Sequence, residues 1–262
     1  MKESEIKKVV KESYAGFIRP GGSGRGSASS SNESLGASQD YLKKIGYTSE
    51  ELQAVPVGAI SFGCGNPVAL ASLREGETVL DLGSGAGFDC FLAANKVGEK
   101  GKVLGVDMTP EMLEKARENA KKGNYANVEF RLGEIEDLPV ADNSVDIVIS
   151  NCVINLSPDK PRTFREVFRV LKPGGRMMVS DIVLLNELPD VIKDSVQAYI
   201  GCLSGASLLE DYMEAIKEAG FHAVRIADLT IYPMSDDMAD FSNLILGSSS
   251  MSIKVYAEKP AV

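Results

Sequence analysis

Residues 77–89, Glu-Thr-Val-Leu-Asp-Leu-Gly-Ser-Gly-Ala-Gly-Phe-Asp, constrain the fold of this chain more than any other stretch. A short run of β-branched residues and leucine carries Asp81 and breaks into Gly83-Ser84-Gly85-Ala86-Gly87. It resumes as an apolar helical segment from Phe88 to Ala94. That order predicts a strand, a tight glycine turn and a helix start, where backbone can come close to a nucleotide-type ligand. Glycines that serve only the turn are the plainer alternative. Asp81 departs from the dinucleotide pattern: a carboxylate there would repel a pyrophosphate, but it suits a cationic amino-acid group.

From residue 77 onward, strand and helix patterns alternate. Strands are expected at 78–82, 102–106, 127–131, 145–150, 175–181, 222–230 and 251–258, with helices at 87–97, 110–122, 160–171 and 207–219. Val145–Ser150 and Arg176–Ser180 are apolar runs of the kind that both faces of a sheet bury. Thr109-Pro110-Glu111 reads as a helix start, with Thr109 as cap and proline in the first helical position. Lys172-Pro173-Gly174-Gly175 reads as a helix end turning into a strand. The alternation predicts a doubly wound α/β fold, a seven-stranded mostly parallel sheet. Segment 182–204 breaks the alternation and reads as a substrate-side insertion, helical over Val191–Ile200. Before residue 77, helices are expected at 2–18, Ser38–Ile45, Ser49–Ala54 and Val68–Ser72, with Ser49 as an N-cap and proline at the start of the last. The Gly/Ser-rich stretch 19–34 reads as a mobile loop, linker or lid. The parts are therefore 1–76 (N-terminal helices and loop, contributing Cys64), 77–181 (the ligand-binding core) and 182–262 (insertion and closing strands).

Further motifs follow in order. Val103-Leu104-Gly105-Val106-Asp107 is a second strand ending in a carboxylate, 26 positions after Asp81, where it can accept from both hydroxyls of a ribose. Met108 can pack on an adenine face. Leu132-Gly133-Glu134-Ile135-Glu136-Asp137-Leu138-Pro139 closes the third strand, Val145-Asp146 to Asn151 forms the fourth, and Leu171-Lys172-Pro173-Gly174-Gly175 precedes the fifth. Over residues 77–181 this set resembles the Rossmann-like class I S-adenosylmethionine (SAM) dependent methyltransferases. The resemblance implies SAM as cofactor, held by Asp81, Gly83, Ser84, Gly85, Gly87, Asp107, Met108, Glu134, Ile135 and Asn151.

Four cysteines have spacings that fit no zinc ribbon or finger, and with one histidine, His222, a Cys/His zinc site is improbable. Cys90 lies among Phe88, Phe91, Leu92 and Ala93 and reads as core; His222 reads as structural. The other three fall near the strand ends where ligands bind in such sheets. Cys64 sits in Phe62-Gly63-Cys64-Gly65-Asn66-Pro67, where flanking glycines are expected to leave its sulfur accessible. Cys152 sits in Ser150-Asn151-Cys152-Val153-Ile154-Asn155-Leu156, and Cys202 in Gly201-Cys202-Leu203-Ser204-Gly205-Ala206. With the SAM core, these contexts over about residues 36–246 closely resemble arsenite methyltransferases. The resemblance implies that Cys64, Cys152 and Cys202 are the catalytic thiols that hold trivalent arsenic, a soft centre suited to thiolate ligands. Its lone pair would attack the SAM methyl, giving methylarsenite and in some cases a second methylation, in the service of arsenic detoxification. No general base is needed, because the lone pair carries no proton.

One departure stands out. Many relatives have additional cysteines in the N-terminal loop, and 19–34 has none. This implies either dependence on an external thiol reductant, of the glutathione or thioredoxin type, as partner, or fewer methyl additions. Tyr14, Tyr47 and the Gly/Ser loop are candidates to close over the cofactor. Two other readings stay open: a C- or O-methyltransferase of a quinone-like acceptor, and a non-catalytic metalloid-binding protein. A net charge of −9 weighs against nucleic acid or an anionic membrane as partner. No apolar run is long enough for a membrane span and no signal-peptide core follows the charged start, so a cytoplasmic protein is expected, with a monomer favoured by the C-terminal strand.

Overall fold

The computed structural model describes residues 3–18, 38–231 and 250–261. The Gly/Ser stretch 19–34 and the run before residue 250 lie outside them. Helix α1 (Glu3–Ile18) is followed by the short α2 (Gln39–Lys44), α3 (Ser49–Ala54) and α4 (Pro67–Leu70). The alternating part runs β1 (Thr78–Leu82), α5 (Phe88–Val97), β2 (Lys102–Asp107), α6 (Pro110–Lys122), β3 (Val128–Leu132) and β4 (Val145–Asn151). It continues through α7 (Lys160–Val170), β5 (Leu171–Leu184), α8 (Asp190–Lys193), α9 (Val196–Ile200), α10 (Leu209–Glu218), β6 (His222–Ile231) and β7 (Ser250–Glu258).

The seven strands form one sheet in the order β3-β2-β1-β4-β5-β7-β6. The first five are parallel; β7 pairs antiparallel with both β5 and β6. Period-two alternation sorts the strand residues into two cores. Leu80, Leu82, Val106, Val148, Met177 and Val179 face α7 and α10, where Phe164, Val167, Tyr212 and Ile216 meet them. Val79, Val103, Ile147, Ile149 and Met178 face the other way, onto Phe91, Leu113 and Ala116 of α5 and α6. At about 1.5–3 kcal/mol for each fully buried large apolar side chain, these two layers hold the sheet. Parallel strands of this connectivity bring β1, β2 and β4 to a common carboxyl edge, and the site lies there.

Several local expectations are corrected. Strand β5 runs three residues further than the expected 175–181, because β7 offers Ser252, Met251 and Ser250 as antiparallel partners to Ile182, Val183 and Leu184. Its start is also earlier: α7 ends at Val170, Leu171 already pairs with Val145, and Lys172–Gly175 bulges before Arg176 pairs with Ile147. Gly174, at φ +77°, makes that bulge possible. The expected helix 191–200 is two helices, because the Ser195 hydroxyl accepts from Ala198 N and starts α9 afresh. Helix α3 is capped by Thr48 rather than Ser49, in a reciprocal box with Glu51. Thr109 caps α6 with no side-chain bond; its amide instead donates to Asp107.

Candidate functional site

The glycine turn earns its residues by contact. A Cβ on Gly83 would lie 2.4 Å from Val153 Cγ2, and one on Gly87 2.8 Å from the Phe91 ring, so both positions require glycine. Gly85 differs: its Cβ would meet nothing within 4 Å, since it faces an open cleft. That cleft opens to solvent beside the turn. Asp81, Gly83, Ser84, Gly85, Asp107, Met108, Glu134, Ile135 and Asn151 line it; Gly87, by contrast, is the left-handed residue that launches α5.

The donor set of the cleft fits a cationic, ribose-bearing ligand. The Ser84 hydroxyl is buried with no partner among the described residues. Asp107 takes Gly85 N on one oxygen (3.0 Å) and Thr109 N on the other (2.8 Å), which fixes its carboxylate at the end of β2. Burial raises its pKa, against those backbone bonds. Asp81 is almost fully buried; burial and then repulsion from Asp89 push its carboxyl well above the ordinary range. The Cys90 thiol donates to Asp81 Oδ2 at 3.2 Å, so Cys90 is core, as expected, and also a support for this carboxyl. Burial takes Asp89 up to about 6. Two desolvated carboxyls facing one cleft call for an ammonium group there. Glu134 stands half-exposed at the rim, where Lys7 of α1 bonds it at 2.8 Å and also reaches Glu136 at 3.4 Å. Lys7, Val10 and Tyr14 thus place α1 across the cleft.

Cys64, Cys152 and Cys202 come from three separate segments and meet in one buried cluster with Val10, Leu156 and Ile182. Tyr14, Met108 and Tyr199 pack against it, so Met108 touches the thiol side of the cleft. Cys202 Sγ donates to Cys152 O at 2.9 Å, and Cys64 Sγ lies 3.9 Å from Ser180 Oγ. Bonding with Cys202 and Cys64, and then burial, push the Cys152 thiol well above its usual value, so it rests protonated. Cys64 is 2% exposed, which corrects the expectation of an accessible sulfur. Its flanking glycines serve close approach instead. A Cβ on Gly63 would lie 2.1–2.4 Å from the Asn151 amide, and one on Gly65 2.0 Å from Ser180 Oγ.

Asn151 is the hinge pin of the site. Its Oδ1 accepts from Cys64 N (3.0 Å) and Gly65 N (3.3 Å). Its Nδ2 donates to Gly65 O (2.7 Å), Tyr47 OH (2.9 Å) and Asp89 Oδ2 (3.0 Å). Tyr47 in turn donates to Asp89 Oδ1 at 2.7 Å. The amide lines the cleft, with its polar atoms committed to holding the Cys64 loop beside it. His222 is half-exposed at the start of β6 with Glu258 3.7 Å away, remote from the thiols in the fold. Sequence reasoning missed Lys7, Asp89, Ser180 and Asp181. The last two are hidden in an apolar strand, and their only signal is polarity at the carboxyl edge.

Strand order, glycine turn and the Asp107 carboxylate define a class I SAM-dependent methyltransferase. Residues 73–220 match the family described as Methyltransferase domain. The chain is 47% identical to the arsenite methyltransferase of Halobacterium salinarum, over 98% of this chain and 67% of that one. It is 41% identical to the mouse arsenite methyltransferase, over 71% of this chain and 52% of the relative. The crystal structure of an arsenic(III) S-adenosylmethionine methyltransferase from Chlamydomonas reinhardtii superposes with a TM-score of 0.69 at 35% identity, covering 86% of this chain and 75% of that one. This chain belongs to the arsenite methyltransferase family. It spans about two thirds of the length of the Halobacterium relative and about half that of the mouse one. Among the described residues, no helix is long and apolar enough to cross a membrane.

Proposed function

We propose that this chain methylates trivalent arsenic, with Cys64, Cys152 and Cys202 as the arsenic thiols. The observation that carries the proposal is the meeting of these three cysteines in one buried cluster, of which Cys152 lines the cofactor cleft. Asp81 would take the ammonium of SAM, Asp107 its ribose, and the Gly83–Gly87 turn its amino-acid backbone, with Glu134 and Ile135 along the adenine side and Met108 between the cofactor and the thiol cluster. Bound SAM would supply an electrophilic methyl group open to donation from the arsenic lone pair, its C–S bond breaking as S-adenosylhomocysteine leaves with the electron pair.

The chain's own part is capture and alignment. Each exchange at arsenic breaks one S–H and one As–O bond and forms one S–As bond and water, so no net charge is buried. This suits a protonated Cys152 in an apolar setting. Holding arsenic beside the methyl donor converts an encounter into a local step, worth roughly 7–11 kcal/mol where geometry is favourable. Residues 1–76 contribute α1 and Cys64, 77–181 bind SAM, and 182–262 bring Cys202 and complete the sheet. The reading includes an external thiol reductant, a role in arsenic detoxification, a cytoplasmic setting and a monomer.

The test is incubation with methyl-labelled SAM, arsenite and a thiol, followed by chromatography of labelled arsenicals. Cys152→Ser and Cys202→Ser are expected to abolish methylation of methylarsenite while SAM binding survives. Cys64→Ser should chiefly impair inorganic arsenite, since methylarsenite needs only two protein thiols. Full activity in all three variants would remove the site assignment, and steady multiple turnover without thiol would remove the reductant.

A further inference from the structure

One fully buried carboxyl beside the thiols has no part in the chemistry above. Asp181, one residue beyond Ser180 on β5, is wholly inaccessible. One of its oxygens and the sulfurs of Cys64 and Cys152 all lie within 4.8 Å of one another. Its Oδ2 accepts from Tyr212 OH at 3.0 Å, and its Oδ1 takes the adjacent Ile182 N at 3.2 Å. Lys160, whose charge favours ionised Asp181, has its ammonium bonded to Gly205 O at 2.6 Å. A carboxyl is costly to bury, and this one is held by bonds on both oxygens within reach of two sulfurs.

We propose that Asp181 selects inorganic arsenite by hydrogen-bonding an arsenic-bound hydroxyl. The inference rests on the reading of this site as an arsenic site. Arsenite captured on Cys64 and Cys152 has released two waters and keeps one hydroxyl, and the third corner of the cluster is Asp181. A hydroxyl both donates and accepts, so the bond forms with either protonation state of the carboxyl. Cys202 then displaces that hydroxyl as water, its thiol proton leaving with it. Methylarsenite carries a methyl group where arsenite has its third hydroxyl. Once it is bound to two thiols it has nothing to offer Asp181. The side chain therefore acts on the first methylation and is silent in the second.

Steady-state kinetics of the full chain with arsenite and with methylarsenite, run separately, test this. Asp181→Leu should raise KM for arsenite at least tenfold and leave that for methylarsenite within twofold. Asp181→Asn, whose amide also bonds a hydroxyl, should restore KM for arsenite to within threefold of the parent. Tyr212→Phe removes the group that holds Asp181 without altering the cluster, and should raise KM for arsenite severalfold while sparing methylarsenite. It keeps the test open if Asp181→Leu does not fold. Equal impairment of both substrates, or no change in either, would overturn the role of Asp181 while leaving the thiol assignment intact. A parent protein that yields no labelled arsenical would overturn both.

Discussion

Replacing Gly63 with alanine tests the central claim that one amide joins the Cys64 loop to the sheet. The new Cβ would fall 2.1 Å from Asn151 Nδ2, 2.3 Å from Cγ and 2.4 Å from Oδ1. Rotating one terminal atom cannot relieve this, because all three amide atoms are too close. The side chain must leave. Tyr47 and Asp89 keep each other through their 2.7 Å bond, but Cys64 N, Gly65 N and Gly65 O lose their partner. At about 1 kcal/mol for each of these three backbone groups, and with Tyr47 and Asp89 still paired to each other, the cost is roughly 3 kcal/mol. Asn151→Ala should cost about the same, because it strips the same three backbone groups of their partner and breaks the same bonds to Tyr47 and Asp89. The double variant should then cost no more than Asn151→Ala alone, since the added methyl fills space the amide has vacated. A coupling of roughly 3 kcal/mol is expected, far above the ~0.5 kcal/mol scatter of independent sites. With no tryptophan in the chain, urea unfolding followed by far-ultraviolet circular dichroism is the natural assay. Methylation of arsenite should fall in all three variants. Additive destabilisation in the double variant would refute the argument.

Three further outcomes are expected. Arg176 forms a bidentate pair with Glu77 (2.7 and 2.9 Å) and donates to Ala71 O and Ser72 O, so Arg176→Ala should lower unfolding free energy by about 3–5 kcal/mol in denaturant melts. Burial takes Asp181 up to about 7, so between pH ~4 and 7 the folded chain holds a proton that the unfolded chain has released. Stability contributed by this group therefore falls as pH rises through that window, by at most about 1.4 kcal/mol per unit, and levels off above it. Urea melts from pH 5 to 8 should show Asp181→Asn gaining on the parent as pH rises; parallel curves would contradict this. Lys7→Met removes the cation that α1 places on Glu134 and the buried Glu136, and should weaken SAM binding about fivefold by calorimetry, the effect of about 1 kcal/mol.

The parallel half of the sheet was legible because its signals are local. Val79, Leu80 and Leu82 followed by three glycines can hardly be anything but a buried strand and a turn. Pro110 and Pro67 mark helix starts through a missing N–H. What stayed hidden depends on partners distant in the chain. The extension of β5 to Leu184 exists because β7 runs antiparallel beside it, about 70 residues later in sequence. The burial of Cys64 follows from Asn151, 87 positions away, which no local pattern couples to Gly63 and Gly65. The contexts of the three cysteines drew attention to them in the sequence, yet nothing drew attention to Asp181. A carboxylate inside Val179-Ser180-Asp181-Ile182-Val183 reads as part of a strand until the sulfurs are placed around it. Thr48 was passed over as a cap for a plainer reason: the helix-start pattern tolerates a shift of one residue, and Glu51 closes its box with Thr48.

Two of the three thiols sit on backbone that glycine would occupy more cheaply. Cys152 has φ +65° and Cys202 φ +64°, left-handed values that cost a residue with a Cβ of order 1–3 kcal/mol each. The surroundings hold them there: Cys152 N donates to Ser180 O at 2.8 Å, and Cys202 N to Tyr199 O at 2.9 Å. Neither conformation helps the fold, since a glycine would satisfy the same backbone bonds with less strain. What the cysteines add is the direction of their sulfurs. The Cys202 thiol reaches back to Cys152 O, and Cys64 is brought to the same cluster by the Asn151 clamp. That clamp also holds Asp89, whose charge acts on Asp81 across the cofactor cleft. The Cys64 loop and the cleft carboxyls are thus fixed through one side chain at the end of β4, which under the proposed function fixes the thiols relative to the methyl donor. An enzyme that must align an arsenic lone pair with a methyl group gains from such fixed geometry, because misplacement by about 1 Å can cost two orders of magnitude in rate.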